Sequence, residues 1–143
     1  MSNFDVPSTY TAPERAPIWN AVPGPGPVGG PARVEAADDG GSCRAVVDGQ
    51  TVGECWVDPA AAHSSHADAA AHAFVQWIGT EAAWRGRGVA RQMWAFACGR
   101  LHALGVRRIS LTTPCDNFGG QAFYYRVGLR VADHGLGFEL PAA

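Results

Sequence analysis

The stretch Trp84-Arg85-Gly86-Arg87-Gly88-Val89-Ala90 joins two segments of different period. Before it, Ala73 to Thr80 is rich in aromatic and β-branched residues, which fit a pleated strand. After it, Ala90 to Leu104 carries Met93, Ala97, Leu101 and Leu104 at helical spacing, and Gly105 stands where the helix should end. The stretch is therefore a strand-to-helix turn. Gly86 and Gly88 permit positive φ and close approach of the backbone to a ligand. The first N–H groups of a helix lack intrahelical acceptors, and the helix dipole adds partial positive charge there. Arg85 and Arg87 add full charges. Together these features predict an anion site suited to phosphate.

Three sequence patterns build such a site. A P-loop requires Gly-Lys-Ser/Thr, which is absent from the turn. The dinucleotide pattern Gly-x-Gly-x-x-Gly fits Gly86 and Gly88 but meets Arg91 at its third glycine. The pattern Arg/Gln-x-x-Gly-x-Gly/Ala is filled by Arg85, Gly88 and Ala90. This turn resembles the acetyl-CoA pyrophosphate loop of the GNAT N-acetyltransferase superfamily. Read without a ligand, it is a glycine-rich connection only. A second segment, Asp116 to Leu129, resembles the superfamily's last conserved stretch. Asn117, Gly120, Phe123, Tyr124 and Gly128 fill its places, and Leu129 stands where Phe is usual. Read alone, Asn117 is a helix N-cap, and Phe123 and Tyr124 are core aromatics.

The resemblance implies an α/β (α+β) fold with a mixed, twisted and splayed central sheet flanked by helices. It implies acetyl-CoA as cosubstrate, its pantetheine arm paired with the end of the first strand by strand addition. Ile78, Gly79 and Thr80 are the matching strand positions, with a bulge expected at Gly79. Arg85, Gly86, Arg87, Gly88, Val89 and Ala90 match the pyrophosphate loop, and Asn117 and Tyr124 complete the cofactor set. Two departures stand out. The superfamily usually begins with two helices that wall the acceptor site, and no helical period is found here before Ala32. Ala82 occupies a place that is often Pro.

Met1 to Pro31 carries Pro7, Pro13, Pro17, Pro23, Pro25, Pro27 and Pro31, which break any helix. It reads as an extended or disordered arm. Ala32 to Ala143 reads as one compact domain, and its length suffices for a sizeable core. Arg33 to Ala36 is a short edge strand. Asp48-Gly49 between Cys43–Val47 and Thr51–Val57 predicts a tight hairpin. Regular pairing would set Cys43 opposite Glu54, away from Cys55. A loop from Pro59 to Ala71 precedes the Ala73 strand. Val106 to Thr113 predicts another strand, Phe118 to Val127 a helix closed by Gly128, and Leu129–Ala132 with Leu136–Leu140 a closing strand pair. The net charge of -2 gives no reason to expect nucleic acid or an anionic membrane as partner. No signal segment or membrane-length apolar run is read. The scattered Cys43, Cys55, Cys98 and Cys115 fit a reduced, cytoplasmic setting.

Acetyl transfer to an amine passes through a tetrahedral oxyanion, which a backbone N–H near Ile78 to Thr80 would stabilise. The leaving thiolate, from a thiol of pKa about 8.5, benefits from a nearby acid. Tyr124 matches the superfamily's acid. The attacking amine must lose a proton, and Glu81, His72 and Glu54 are the base candidates. Strand parity would put His72 on the face of Gln76 and Ile78. His63, His66, Asp68 and His72 have ligand chemistry but no closed zinc pattern, so no metal is expected. The leading reading is an N-acetyltransferase acting on a small-molecule or protein amine. A CoA-binding module without catalysis, a sensor or structural half, is the alternative.

Without the two usual helices, one side of the sheet is left to another partner. A homodimer is expected, a symmetric pair being the commonest closed assembly. Light scattering at micromolar concentration checks this, and a strictly monomeric mass contradicts it.

Overall fold

The computed structural model describes residues 29–59, 65, 67 and 69–131. Five strands, β1 (Arg33–Ala36), β2 (Cys43–Val47), β3 (Gln50–Pro59), β4 (His72–Thr80) and β5 (Arg108–Ser110), form one sheet in chain order. The first three junctions are antiparallel and the β4–β5 junction is parallel. Helix α1 (Val89–Ala103) makes the crossover from β4 to β5, and α2 (Phe118–Arg126) follows β5. Single 3-10 turns occur at Ala69–Ala71 and Ala82–Trp84. The expected arm before residue 29 lies outside the described residues, as do His63, His66 and Asp68. Leu129 to Val131 leave α2 without strand structure, and the rest of the expected closing pair is likewise outside the described residues.

The β2–β3 hairpin turns on Asp48 and Gly49, with φ of 50° and 77°. Two positive φ values give the turn the twist that flanking strands require. Farther along, the register shifts between Ala45 and Val46. Cys43 therefore faces Cys55, correcting the expected Cys43–Glu54 pairing. An unpaired residue in one strand, here Val52, moves every later partner by one. Cys43 and Cys55 are both fully buried free thiols. The hydrogen bond with Cys43, and then burial, push the Cys55 thiol well above its ordinary range.

A second bulge lies in β4. Trp56 pairs with Trp77 and Val57 with Val75, so Gln76 is the extra residue. Gly79 pairs regularly with Glu54, so the bulge expected at Gly79 is instead three residues earlier. The consequence is a parity reversal. Ala73, Val75 and Ile78 all pack on the core face, and His72, one residue before Ala73, lies on the other. The face that His72 was expected to share with Ile78 is thus not shared. Ser42, itself buried, closes the irregularity: its Oγ accepts from Val57 N at 2.9 Å and donates to Val57 O at 3.3 Å.

Only three residues of β4 pair with β5: His72 with Arg108, Ala73 with Ile109 and Phe74 with Ser110. The strand expected from Val106 to Thr113 is correspondingly short, because beyond Ser110 it has no ladder partner. From Val75 to Thr80, β4 is paired with β3 alone among the described residues. The sheet is split at this point.

Helix α1 fills one face. Val89, Met93, Trp94, Ala97, Cys98 and Leu101 are buried against Cys43, Ala45, Cys55, Val57, Ala73 and Val75. Full burial of a side chain such as Met93 contributes about 1.5–3 kcal/mol. Gly53 has no side chain where Met93 packs: a Cβ there would stand 2.8 Å from Met93 Cε. Helix α2 joins the same side through Phe123, whose ring meets Trp94 edge-on at 6.3 Å. The other end of the sheet is tied by Gln92. Its side-chain amide accepts from Ala32 N at 3.0 Å and donates to Ala32 O at 2.7 Å.

Changing Gln92 to Ala removes both bonds and leaves the Ala32 amide and carbonyl half-buried. A loss of about 1–3 kcal/mol in urea unfolding is expected. A change within ~0.5 kcal/mol, the range of ordinary surface substitutions, would show that the bonds to Ala32 do not hold β1 to α1.

Candidate active site

The split exposes one edge of β4, and the Arg-Gly turn stands at its end. Glu81 N donates to Val52 O at 2.8 Å, which fixes where the strand finishes. One 3-10 turn follows, and then Gly86 and Gly88 adopt φ of 74° and 88°. Nothing lies within 4 Å of where a Cβ would stand at either glycine, so both face open space. The first hydrogen bond of α1 runs from Gln92 N to Gly88 O. The N–H groups of Val89, Ala90 and Arg91 precede that bond, at the positive end of the helix dipole. Arg85 donates from Nε to Thr80 O at 3.1 Å, which clamps the turn to the strand end. Arg87 lies over the Trp84 ring at 4.9 Å. Both arginines are exposed and keep the turn positive.

These features fit a phosphorylated ligand with an extended arm. The turn offers N–H groups and cationic charge for the phosphate. The open edge from Val75 to Thr80 offers backbone groups for an arm. Thr80 Oγ1 is buried with no hydrogen-bond partner among the described residues, at the point where the arm would end its pairing. Burial of an unpaired hydroxyl is unfavourable, and a ligand that supplies a partner relieves it.

Tyr124 approaches the same region from α2. It is half-buried, and its proton is held more tightly than in a free phenol, first through burial and then through the Cys55 thiol. Cys55 stands directly opposite Ile78. The Tyr124 ring itself packs edge-on against Phe123 at 5.8 Å. Tyr125 points elsewhere: it is exposed, and Arg130 covers its ring at 5.4 Å. Asn117 caps α2, accepting from Gly120 N at 3.2 Å and donating to Thr113 Oγ1 at 2.8 Å. Its side chain is occupied in shaping the β5–α2 turn beside the split.

The base candidates are dispersed. Glu81 is exposed immediately beyond Thr80. Glu54 is opposite Gly79, on the sheet face away from α1, and accepts from Trp56 Nε1 at 3.1 Å. His72 is buried at the far end of β4, with Nε2 bonded to Ser110 Oγ at 2.8 Å. Eight residues of strand separate it from Thr80, on the order of 25 Å. Ile78, Gly79 and Thr80 run directly into the turn, while His72 stands at the opposite end of the strand. Among the described residues, no three His, Cys, Asp or Glu side chains gather as a metal site. Sequence reading missed the clamp from Arg85 to Thr80 and the paired tryptophans Trp56 and Trp77. The latter were legible only through a register that the bulge conceals.

A family model described as the acetyltransferase (GNAT) family matches residues 13–129. Among solved structures, the chain is similar to AAC(6')-Iy in complex with the bisubstrate analogue CoA-S-monomethyl-acetylneamine. The TM-score is 0.60 at 21% identity, covering 71% of this chain and 69% of that one. It is also similar to a transcriptional regulator from Bacillus halodurans C-125, with a TM-score of 0.59 at 24% identity, covering 69% and 65% of the two chains. At these identities the likeness is one of fold. No curated protein matches the sequence.

Replacing Gly88 with Val puts a branched side chain at φ of 88° and into the open space before α1. The strain should lower stability by about 1–2 kcal/mol. Acetyl-CoA is expected to raise the melting temperature of the unaltered protein, and that shift should vanish in the variant. An undiminished thermal shift in the variant would place the phosphate elsewhere.

Proposed function

Since the chain belongs to the acetyltransferase (GNAT) family, we propose that it moves the acetyl group of acetyl-CoA to a primary amine of a small molecule or protein by direct attack. The observation that carries this reading is the one-sided pairing of β4 from Val75 to Thr80, with an anion-binding turn at its end. Acetyl-CoA supplies an acyl thioester on a long amide-bearing arm with a pyrophosphate at its other end. The chain's residues match that shape in order. The N–H groups before Gln92, with Arg85 and Arg87, hold the charged end. The backbone of Ile78, Gly79 and Thr80 aligns the arm by strand addition. Asn117 keeps the β5–α2 turn clear of that edge.

Tyr124 has the acid's role in this scheme. Its proton is retained above the ordinary value of 10.0, so the phenol is a donor throughout neutral pH. It offers a hydrogen bond to the departing sulfur, whose thiol has a pKa of about 8.5. Glu81, exposed immediately beyond Thr80, is the carboxylate that takes the amine's proton in this scheme, directly or through water. His72 is too far along β4 to take part. A CoA-binding module without catalysis would use the same turn and edge but would have no need of the Tyr124 hydroxyl.

Tyr124→Phe should keep acetyl-CoA affinity nearly unchanged and lower kcat by about 100-fold or more. Tyr125→Phe should behave like the unaltered protein, since its ring lies outward under Arg130. Turnover and cofactor affinity measured for both variants decide the matter. Normal turnover by Tyr124→Phe overturns the assignment, and tight acetyl-CoA binding without turnover on any amine leaves the module.

A further inference from the structure

The sheet face away from α1 carries an unusual group of side chains. Trp56 and Trp77 are direct cross-strand partners, and they remain 39% and 59% exposed. Adjacent on the same face are Glu54 and Gly79, themselves partners, and Asp58. Trp56 Nε1 donates to Glu54 Oε2 at 3.1 Å, which sets the indole and the carboxylate side by side. Asp58 accepts from Gln76 Nε2, the residue displaced by the bulge. The bulge is what brings Trp77, rather than Gln76, opposite Trp56.

The group leads to the strand end. A Cβ at Gly79 would stand 2.7 Å from Trp77 Cζ2 and 2.9 Å from Trp77 Nε1. The Trp77 ring therefore leans along β4 across Gly79, toward Thr80, and only glycine leaves room for it. Helices α1 and α2 occupy the opposite side of the split, so an acceptor reaches the strand end from this face.

Charge selects what it would meet. Within β3 and β4 the face holds the carboxylates of Glu54 and Asp58, the latter already engaged, and no lysine or arginine; Arg44 and Arg108 stand on it in the flanking strands β2 and β5. Arg44 pairs with Glu54 across β2, but among the described residues it forms no ion pair with it. Arg33 and Glu35 engage each other at 3.4 Å on the outer strand. The faces of indole rings are also negative, through their quadrupole. Two exposed indoles between two carboxylates favour an organic cation over a neutral or anionic molecule.

On the acetyltransferase reading, we propose that Trp56, Trp77, Glu54 and Asp58 form the acceptor subsite, and that it takes an amine carrying a second cationic group besides the one acetylated. The reacting amine lies at the strand end beside Gly79. The second cation rests on the indoles, within reach of Glu54 or Asp58. Trp77 is the specificity-determining wall, and Trp56, oriented by Glu54, is its counterpart.

The test compares 1,5-diaminopentane with 5-amino-1-pentanol, which differ in the second cation alone, using the full chain and saturating acetyl-CoA. The diamine is expected to have a kcat/KM higher by ~10-fold or more, as a cation over two indoles and a carboxylate implies. Trp77→Leu and Trp56→Leu should each raise KM for the diamine, leave kcat within about twofold, and leave both constants for the amino alcohol unchanged. Acetyl-CoA affinity should not change in either variant. Equal kcat/KM for the two amines, or a preference that survives both substitutions, overturns the proposal. So does a dimer that Trp77→Leu turns to monomer without altering the preference, since the indoles then serve a contact between copies. A second readout is independent of turnover. Hexamethonium, which cannot be acetylated, should quench tryptophan fluorescence in the unaltered protein and not in Trp77→Leu. Quenching lost in that variant, with no amine turned over, upholds the cation subsite and removes the acetyltransferase reading. Turnover without cation preference or quenching does the reverse.

Discussion

From Val75 onward, β4 is hydrogen-bonded along one edge only among the described residues. A row of backbone groups in mid-sheet without a partner strand is costly if it stays dry and unpaired. The rest of the molecule is arranged around that edge. The β5 strand stops at Ser110, α1 begins beyond the edge's end, and α2 follows β5. Phe123 against Trp94 sets α2, and Ile109 in the core sets β5. An extended ligand that adds a strand there completes the sheet rather than filling a hole.

Helix α1 has two roles that its sequence keeps separate. Its inward stripe of Val89, Met93, Trp94, Ala97, Cys98 and Leu101 fastens it to the sheet. The exposed turn before Val89, Arg85 to Gly88, presents charge at its N-terminal end. Because packing fixes the helix, the dipole and the arginines have a fixed direction, which binding by a loose loop would lack. Gln92 shares in both, since it makes the helix's first internal bond with its backbone and holds Ala32 with its side chain. The buried thiols of Cys43, Cys55 and Cys98 contribute as small apolar groups, and burial holds the protons of Cys55 and Cys98.

Features set by local rules were legible from the amino-acid sequence. Gly88, Gly105 and Gly128 take the positive φ that ends or begins a helix, and Asn117 caps α2 as its position demands. The Asp48-Gly49 turn and the existence of the strands followed from turn chemistry and period. Register did not follow. The two bulges, at Val52 and Gln76, have no distinguishing residue, because an extra residue is accommodated by the fit of the whole face rather than by its own side chain. That omission accounts for Cys43 facing Cys55, for the regular pairing at Gly79 and for His72 standing on the face opposite Ile78. It also concealed the Trp56–Trp77 pair. The site was legible where it depends on the turn and obscure where it depends on which face a strand residue occupies.

On the function proposed above, the open edge of β4 receives the arm of acetyl-CoA as an added strand. Amide hydrogen exchange with and without acetyl-CoA measures this directly. Protection should rise at residues 78–80 and at the amides that open α1, with little change in β1 and β2, which lie away from the split. Binding that protects the α1 turn but leaves residues 78–80 exchanging at their free rate would contradict the account.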